Sequence, residues 1–167
     1  SLEAPQGVLR VSVSVEVQRA LLEPHLADYL RRYPDVALEV VMENRRISLI
    51  QDGIDVALRV GEPAQDDVVA RHITSFAFGL YASADYLAAR PPLETPEHLA
   101  QHPLLHKFDG ADALLRRGIE RYHLRAKKRV SANDAFLLAR LAAAGEGIAL
   151  LPDLPALTAG LTRVLPE

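Results

Sequence analysis

The sequence has 167 residues, of which 49% are hydrophobic and 25% are charged, as is typical of folded globular proteins. This balance excludes a disordered tail, a collagen-like fibre and a low-complexity linker, because such chains lack the apolar residues needed for a core. The absence of cysteine also excludes disulfide bonds, a thiol nucleophile and cysteine-ligated metals.

The sequence carries no feature of export or of a membrane protein. No apolar run approaches the roughly 18 residues that cross a bilayer, and the first ten residues lack the pattern of a signal peptide. We therefore expect a cytoplasmic protein without a membrane partner, which fits the absence of cysteine. Because the chain begins at Ser1 and soon enters a predicted strand, we also expect it to be a fragment of a longer protein.

The net charge of −3 is unevenly distributed along the chain. Residues 116–129 contain seven basic residues and one acid, a net charge of +6, which leaves −9 for the rest. Such a segment is either a patch for phosphate or nucleic acid or a solvated surface that opposes the acidic remainder. Since the whole chain is acidic, we do not expect this segment to bind DNA by itself.

Hydrophobic periodicity predicts alternating strands and helices in the first half of the chain. The predicted elements are a strand over 9–15, a helix over 22–33 that Pro24 begins or kinks, a strand over 36–42, a short helix over 46–51 and a strand over 54–60. Alternation of this kind with short connections predicts a mainly parallel sheet covered by helices.

The second half of the chain has a similar pattern after a loop-like segment. The predicted elements are extended chain over 68–83, short helical turns over 84–104, strands over 104–108 and 128–132, a turn or short helix over 109–115, a helix over 135–144, a strand over 148–151 and a helix from 152 to about 159. Each half resembles a small α/β unit, so we predict two lobes in one chain.

Polar side chains follow each strand predicted in the first half. Because ligands of open parallel sheets bind outside the carboxyl ends of the strands, we expect residues 14–16, 42–44 and 59–61 to line one crevice. Arg59 either clamps a carboxylate ligand with two hydrogen bonds or forms a structural pair with Asp55 or another acid.

The start of the helix predicted over 135–144 has two interpretations. Its first amides and positive dipole end are suited to an anion. Capping of the helix explains Asn133 and Asp134 equally well, since their side-chain oxygens accept hydrogen bonds from first-turn amides.

Metal binding and catalysis have little support in the sequence. His98, His102 and His106 are spaced four residues apart, but Pro103 interrupts the helix on which they would form a metal site, so we expect no metal or cofactor. The chain lacks a Gly-x-Ser-x-Gly elbow, a phosphate-binding loop and a dinucleotide motif. An α/β enzyme is thus a hypothesis without a candidate acid and base.

Five stretches together resemble the effector-binding domain of LysR-type transcriptional regulators. They are Gly7-Val8-Leu9-Arg10-Val11-Ser12, Leu30-Arg31-Arg32-Tyr33-Pro34-Asp35-Val36, Gly53-Ile54-Asp55-Val56-Ala57-Leu58-Arg59-Val60-Gly61, Leu80-Tyr81-Ala82-Ser83-Ala84-Asp85-Tyr86-Leu87 and Ala144-Gly145-Glu146-Gly147-Ile148-Ala149-Leu150-Leu151-Pro152. The order and spacing of the stretches, over nearly the whole chain, carry the resemblance.

The resemblance implies an α/β fold of two Rossmann-like lobes joined by two crossovers, similar to type 2 periplasmic binding proteins. The first lobe would comprise residues 1–75 and 152–167, and the second lobe residues 76–151. Relatives continue with a further strand and helix beyond the position of Glu167. An N-terminal winged helix-turn-helix, absent from this sequence, would be the only part of the protein that binds DNA.

The resemblance also implies a small-molecule effector in the cleft between the lobes. The corresponding residues are Ser14, Val15, Glu16, Glu43, Asn44, Arg59, Val60, Gly61, Ala132, Asn133 and Asp134. Many relatives have serine or threonine near position 16, whereas Glu16 would disfavour an anionic effector unless it is paired.

Assembly into a homodimer or tetramer is a further expectation. The predicted helices over 22–33 and 135–144 have more apolar or small surface than one sheet face can cover. In the resembled family such helices pack across a two-fold axis. The interface residues would be Leu22, Leu26, Tyr29, Leu30 and Ala139, with Ala139→Glu dissociating the dimer. Alternatively, both helices are simply buried against their own sheets.

Two functional hypotheses of different classes follow. The first is the effector-sensing domain of a LysR-type DNA-binding regulator, and the alternative is a stand-alone solute-binding or transport module of the same fold. An N-terminal helix-turn-helix in the full-length protein would favour the first, and a signal peptide ahead of Ser1 would favour the second.

Overall fold

The computed structural model describes residues 4–43, 45, 48–61, 68–107, 114–117, 120–123 and 127–165. The chain divides into two compact units, unit 1 (Ser1–Thr74) and unit 2 (Ser75–Glu167). Within the described ranges, no helix combines the length and the apolar character needed to span a membrane.

Unit 1 is built on a parallel sheet of three strands in the order β2-β1-β3. Its elements are β1 (Gly7–Val13), α1 (Val15–Val17), a π-helical segment (Gln18–Leu22), α2 (Glu23–Arg32), β2 (Val36–Met42) and β3 (Val56–Leu58). The parallel arrangement predicted from the strand and helix pattern is therefore confirmed.

The first strand ends earlier than the alternation of apolar residues predicts. Val15 lies in α1, because the Ser14 hydroxyl caps the helix by accepting a hydrogen bond from the Val17 amide at 3.3 Å. Helical backbone then continues without a break through the π-helical segment to Arg32. Pro24 lies in the first turn of α2, directly after the π-helical segment, so it marks the change from π-helical to α-helical backbone and does not begin a separate helix.

The short helix predicted over 46–51 is not formed by the described residues of that segment. Residues 48–53 form turns, in which the Asp52 amide donates to the Ser48 carbonyl at 3.1 Å. Gly53 has a positive φ of 65°, which ends the turn before the buried Ile54. Residues 46 and 47 lie outside the described part of the chain.

Unit 2 contains a five-stranded mixed sheet in the order β10-β4-β9-β5-β8 and a separate antiparallel pair, β6-β7. Its elements are β4 (Phe78–Ala82), α3 (Ala84–Ala88), a 3₁₀ helix (Pro96–Gln101), β5 (Pro103–Lys107), β6 (Leu114–Arg117), β7 (Glu120–His123), β8 (Lys127–Ala132), α4 (Ala135–Ala143), β9 (Ile148–Pro152), α5 (Pro155–Thr158) and β10 (Thr162–Val164). The prediction of a turn or helix over 109–115 is wrong at its described end, where β6 begins, and residues 109–113 lie outside the described chain.

The sheet of unit 2 has an apolar cluster on each face. Neighbouring residues of one strand, such as Leu104 and Leu105, belong to different clusters, as expected from side chains that alternate across a sheet. α4 and α5 cover one face, and α3 with the 3₁₀ helix covers the other. The buried residues of the first core face include Tyr81, Leu105, Leu138, Ala149 and Leu151, and those of the second core face include Leu80, Tyr86, Leu99, Leu104 and Ile148.

Ala139 is part of this core, which corrects its assignment to an outward dimer surface. Its side chain is only 8% exposed and packs in the same cluster as Leu138 and Ala142. The outward position of this helix is occupied instead by Leu137, which is 45% exposed. Hydrophobicity patterns do not distinguish the two faces of α4 clearly, because alanines lie on both: Ala135, Ala139 and Ala142 are buried, whereas Ala143 is exposed.

The assignment of residues 152–167 to the first lobe is also wrong for the described residues. Pro152 is the last residue of β9, and β10 pairs antiparallel with β4, with Arg163 opposite Tyr81. Asp153 strengthens this connection by accepting hydrogen bonds from the Tyr81 hydroxyl at 2.8 Å and from Arg163 at 3.3 Å. These residues therefore belong to unit 2, and the boundary between the units lies at Thr74 and Ser75.

Candidate functional site

The three parallel strands of unit 1 end together at one edge of their sheet. Ser14, Glu43 and Arg59 each come directly after the last residue of a strand, and the Glu43 amide donates to the Val13 carbonyl at 3.0 Å. The structure thus brings together the polar residues expected at this edge. Asn44 lies outside the described part of the chain.

Arg59 is directed toward the sheet of its own unit. Its Nη2 donates to the hydroxyl of Ser12 at 2.6 Å, and its Nη1 donates to the Leu58 carbonyl at 3.2 Å. Ser12 is fully buried in β1, so the guanidinium also satisfies a hydroxyl that has no access to water. Partial burial lowers the pKa of Arg59, and the nearby negative charge of Glu43 opposes that shift.

The proposed pair between Arg59 and Asp55 does not form. The Asp55 carboxylate instead accepts a hydrogen bond from the Arg10 amide at 2.8 Å, an arrangement that joins β1 to the chain entering β3. The acid that acts on Arg59 is Glu43, whose carboxylate also accepts from the Arg45 amide at 3.1 Å. Arg59 and Glu43 are therefore opposite charges at the same edge.

The other expected residues of this edge lie in the loops and the helix that follow the strands. Val15 and Glu16 are half-buried in α1, and Glu16 lies in the first turn, where a carboxylate interacts favourably with the helix dipole. Val60 is 58% exposed, and Gly61 adopts a positive φ of 100° at the point where the chain leaves β3.

In unit 2, the parallel strands β5 and β8 end beside the start of α4. Ala132 is the last residue of β8, Asn133 is exposed, and Asp134 is the N-cap of α4, accepting from the Phe136 amide at 3.0 Å. Of the two interpretations of this helix start, the structure therefore favours capping. The Asp134 carboxylate takes the place that an anion would need.

Sequence reasoning missed a polar pair at the same end of unit 2. His106 in β5 and Ser131 in β8 are register partners, and His106 Nε2 lies 3.2 Å from the Ser131 hydroxyl oxygen. The other ring nitrogen, Nδ1, lies 2.6 Å from the Lys107 carbonyl oxygen. The only sequence signal was that both residues lie in predicted strands, His106 in 104–108 and Ser131 in 128–132, which becomes informative once the strands are known to be neighbours.

The three histidines spaced four residues apart do not converge. The Glu94 amide donates to His98, His102 contacts the Tyr86 hydroxyl at 2.7 Å, and His106 contacts Ser131. In the described part of the chain, no three histidine, cysteine or acidic side chains are grouped so that they could hold a metal ion.

His102 is a buried titratable group in unit 2. It is 1% exposed and lies in the second core face against the ring of Tyr86. Burial lowers the pKa of His102, a hydrogen bond with the Pro91 backbone opposes this effect, and the positive charges of Arg90 and His98 lower the pKa further.

We expect acidification to destabilise unit 2 through His102. Because the folded-state pKa lies below the ordinary value of 6.5, the unfolded chain binds the proton more readily. The contribution to stability is therefore complete above that value and is lost as the pH falls through the folded-state pKa. As the pH falls below 6.5, the melting temperature of the wild type should fall more steeply than that of His102→Phe. Parallel pH profiles for the two proteins would contradict this expectation.

The basic segment over 116–129 is only partly described. Residues of β6 and β7 form an antiparallel pair in which Arg117 is the register partner of Glu120. Arg129 in β8 forms an ion pair with Glu146 at 3.1 Å. This ion pair supports the interpretation of the segment as a solvated surface, in which part of its positive charge is paired with acidic residues of the same chain.

Comparison with known proteins identifies the family. The family described as the LysR substrate binding domain matches residues 2–167. The chain belongs to this family. An HTH-type transcriptional repressor of Pseudomonas aeruginosa is 31% identical over 164 residues, which cover 95% of this chain and 51% of that protein. The HTH-type transcriptional activator TtdR of Escherichia coli K12 is 28% identical over 171 residues, covering 98% of this chain and 55% of TtdR.

Solved structures of LysR-type regulators have the same fold. CrgA of Neisseria meningitidis superimposes with a TM-score of 0.84 and 30% identity, covering 98% of this chain and 58% of that structure. AphB of Vibrio cholerae gives a TM-score of 0.85 and 26% identity, with 96% and 57% coverage. The predicted fold class, α/β in two Rossmann-like lobes similar to type 2 periplasmic binding proteins, is confirmed.

The family assignment bears on the functional hypotheses. The relatives named above are transcriptional regulators, which favours the effector-sensing domain over the solute-binding or transport module. This chain spans about half the length of the curated relatives that it matches.

Proposed function

We propose that this chain senses a small-molecule effector and contributes to dimerisation in a LysR-type transcriptional regulator. The observation that carries the proposal is the edge of the unit 1 sheet, where the polar groups of Ser14, Glu43 and Arg59 collect at the ends of parallel strands. Open α/β sheets bind ligands at this end. In the whole protein, an N-terminal winged helix-turn-helix would bind DNA. Such a regulator would act in the cytoplasm. We assign the chain no catalytic role.

The residues proposed to contact the effector are those that the family resemblance implied. The proposed contacts come from the strand-end segments of both units: Ser14, Val15, Glu16, Glu43, Asn44, Arg59, Val60, Gly61, Ala132, Asn133 and Asp134. Support comes from the family and from the polar character of these strand ends, since pockets for small molecules combine apolar walls with a few fixed polar groups.

A thermal-shift screen of a metabolite panel tests effector binding directly. A metabolite at about 100 times its dissociation constant should stabilise the domain by about 2.7 kcal/mol. For a domain of this size, that gain corresponds to a rise in melting temperature of about 5 to 10 °C. A panel of cellular metabolites that produces no shift would contradict the proposal.

A pair of valine variants locates the bound metabolite. Val60→Trp adds bulk to an exposed side chain beside Arg59, so it should abolish the shift without disturbing the core. Val8→Trp is the matched control, because Val8 is similarly exposed but lies near the start of β1, at the other end of the same sheet. Loss of the shift in both variants, or in neither, would count against the proposed site.

Dimerisation would bury the apolar residues that α2 and α4 leave at the surface. None of the residues of α2 is fully buried, and Leu30 is 41% exposed. The proposed interface comprises Leu22 at the end of the π-helical segment, Leu26, Tyr29 and Leu30 of α2, and Leu137 of α4. The partner would be a second copy of the chain, as a dimer or within a tetramer.

We expect Leu137→Glu to dissociate the dimer while the monomer stays folded. A charge without a partner in an apolar interface costs several kcal/mol, which outweighs the contribution of one leucine contact. Sedimentation velocity of the wild type and the variant measures the change in mass. Ala156→Glu, which adds the same charge to an exposed position of α5, is the control. Equal sedimentation of the wild type and Leu137→Glu would contradict the proposal.

A further inference from the structure

The hydrogen-bond direction at the His106 and Ser131 pair follows from its geometry. A carbonyl oxygen only accepts hydrogen bonds, so the 2.6 Å contact between His106 Nδ1 and the Lys107 carbonyl requires a hydrogen on Nδ1. In a neutral imidazole the other nitrogen then has a lone pair. The 3.2 Å contact from Ser131 to Nε2 must therefore use the hydrogen of the Ser131 hydroxyl.

This direction determines what Ser131 offers to a ligand. Its hydroxyl hydrogen is committed to His106, whereas its oxygen still carries lone pairs, and the residue is exposed. Ser131 thus presents a hydrogen-bond acceptor at the end of β8. From the sequence alone, the serine hydroxyl could be either a donor or an acceptor to a ligand, because its hydrogen rotates freely.

Two groups that would attract a carboxylate already form hydrogen bonds within the protein. Two nitrogen atoms of the Arg59 guanidinium donate to Ser12 and to the Leu58 carbonyl, and Glu43 balances its charge. At the start of α4, the Asp134 carboxylate accepts from the first-turn amide that would bind an anion. The donors that a simple organic acid would need are therefore partly occupied at both positions.

We propose that the effector presents hydroxyl or amino donors to Ser131, and that the contact between Ser131 and His106 sets this preference over bare carboxylates. The inference rests on the proposed effector-binding function and narrows the chemical class of the effector. Lys107, which follows His106, carries a charge that would favour carboxylates, so its influence must be separated in the test.

The first experiment examines the pair without a ligand. Nitrogen-15 spectra of the imidazoles, recorded near pH 8 where histidine is ordinarily neutral, distinguish protonated from unprotonated ring nitrogens. We expect hydrogen on Nδ1 of His106 and a lone pair on Nε2, with the Nε2 signal moving in Ser131→Ala. Hydrogen on Nε2 of His106, with or without hydrogen on Nδ1, would overturn the inference.

The second experiment measures donor preference with three matched sets of probes. They are lactate, O-methyl-lactate and propionate; serine, O-methylserine and alanine; and mandelate, O-methylmandelate and phenylacetate. In each set that binds, the hydroxyl compound should bind about tenfold more tightly than its methyl ether and its unsubstituted analogue, the difference expected from one hydrogen bond.

Variants of Ser131 and Lys107 test whether the contact between Ser131 and His106 causes the preference for hydroxyl compounds. Ser131→Ala should remove the difference between hydroxyl compound and methyl ether, whereas Ser131→Thr, which keeps the hydroxyl, should retain it. Each result compares two probes on one variant, so a change in the stability of the variant cancels. Lys107→Gln should leave the difference intact.

The outcomes separate this inference from the proposed function. Binding of ethers and hydroxyl compounds with equal affinity, a preference that survives in Ser131→Ala, or one that disappears in Lys107→Gln would overturn the inference alone. If only a metabolite of the panel binds, it replaces the hydroxyl compound in the same comparison with its methyl ether, and a bound metabolite with neither a hydroxyl nor an amino group would overturn the inference alone. Failure of all nine probes and of the panel to bind would overturn the effector-binding function, and the inference with it.

Discussion

Gly147→Ala is expected to unfold unit 2 or to destabilise it by about 3 kcal/mol or more. A β-carbon at this position would lie 2.5 Å from the carbonyl oxygen of Pro103 and 3.2 Å from its carbonyl carbon. Both atoms belong to the backbone of β5, which pairs with β9 directly after Gly147, so neither strand can move without breaking the sheet. Chemical denaturation followed by circular dichroism measures the loss.

Gly145→Ala is the matched control for this substitution. Gly145 lies two residues earlier and has a positive φ of 83°, but a β-carbon there would meet no atom within 4 Å. It should cost only the strain of a left-handed residue, about 1 kcal/mol. Similar losses for the two variants would contradict the steric explanation of the Gly-x-Gly motif.

Ala139→Glu is expected to unfold unit 2 rather than to dissociate a dimer. Ala139 packs among Leu138, Ala142 and the strands of the first core face, where it is 8% exposed. A carboxylate buried there without a partner costs several kcal/mol, in addition to the strain of the larger side chain. Loss of the cooperative unfolding transition of unit 2 would be visible in calorimetry.

Leu137→Glu provides the comparison on the same helix. Leu137 precedes the buried Leu138 and is 45% exposed, so the same charge remains in contact with water. This variant should keep the cooperative transition of unit 2 even when it sediments as a monomer. A folded Ala139→Glu protein with a normal transition would contradict the orientation of α4.

Periodicity predicted the elements whose burial is one-sided and regular. β2 occupies the predicted range of 36–42, and α4 ends one residue before its predicted end. In both, the side chains follow one period over at least seven residues, which local sequence encodes directly. The alternation of strands and helices also predicted that β1, β2 and β3 run parallel, because short crossovers permit few topologies.

The errors arose where a few polar or small residues decide the structure. Val15 continues the apolar alternation of β1, yet the cap supplied by Ser14 begins a helix there. The pairing of β10 with β4 depends on residues about 80 positions apart, such as Thr162 and Ala82, which no local pattern reveals. Ala139 was assigned to the wrong face because an alanine-rich helix gives little contrast between its faces.

The position of the candidate site could be predicted from the sequence, but the hydrogen-bond partners of its side chains could not. The rule that ligands bind at the ends of parallel strands selected the edge that contains Ser14, Glu43 and Arg59. It did not reveal that Arg59 is turned toward Ser12, because that contact joins two strands. The pair of His106 and Ser131 was missed for the same reason, since strand register determines it.

Amide chemical-shift mapping with a metabolite from the thermal-shift screen would locate the effector-binding residues. If the chain is an effector-binding domain, titration should perturb the strand-end segments 14–16, 59–61 and 131–134 in both units, and residues near Val8 should remain unchanged. Perturbations centred away from the ends of these strands would contradict effector binding at the proposed residues.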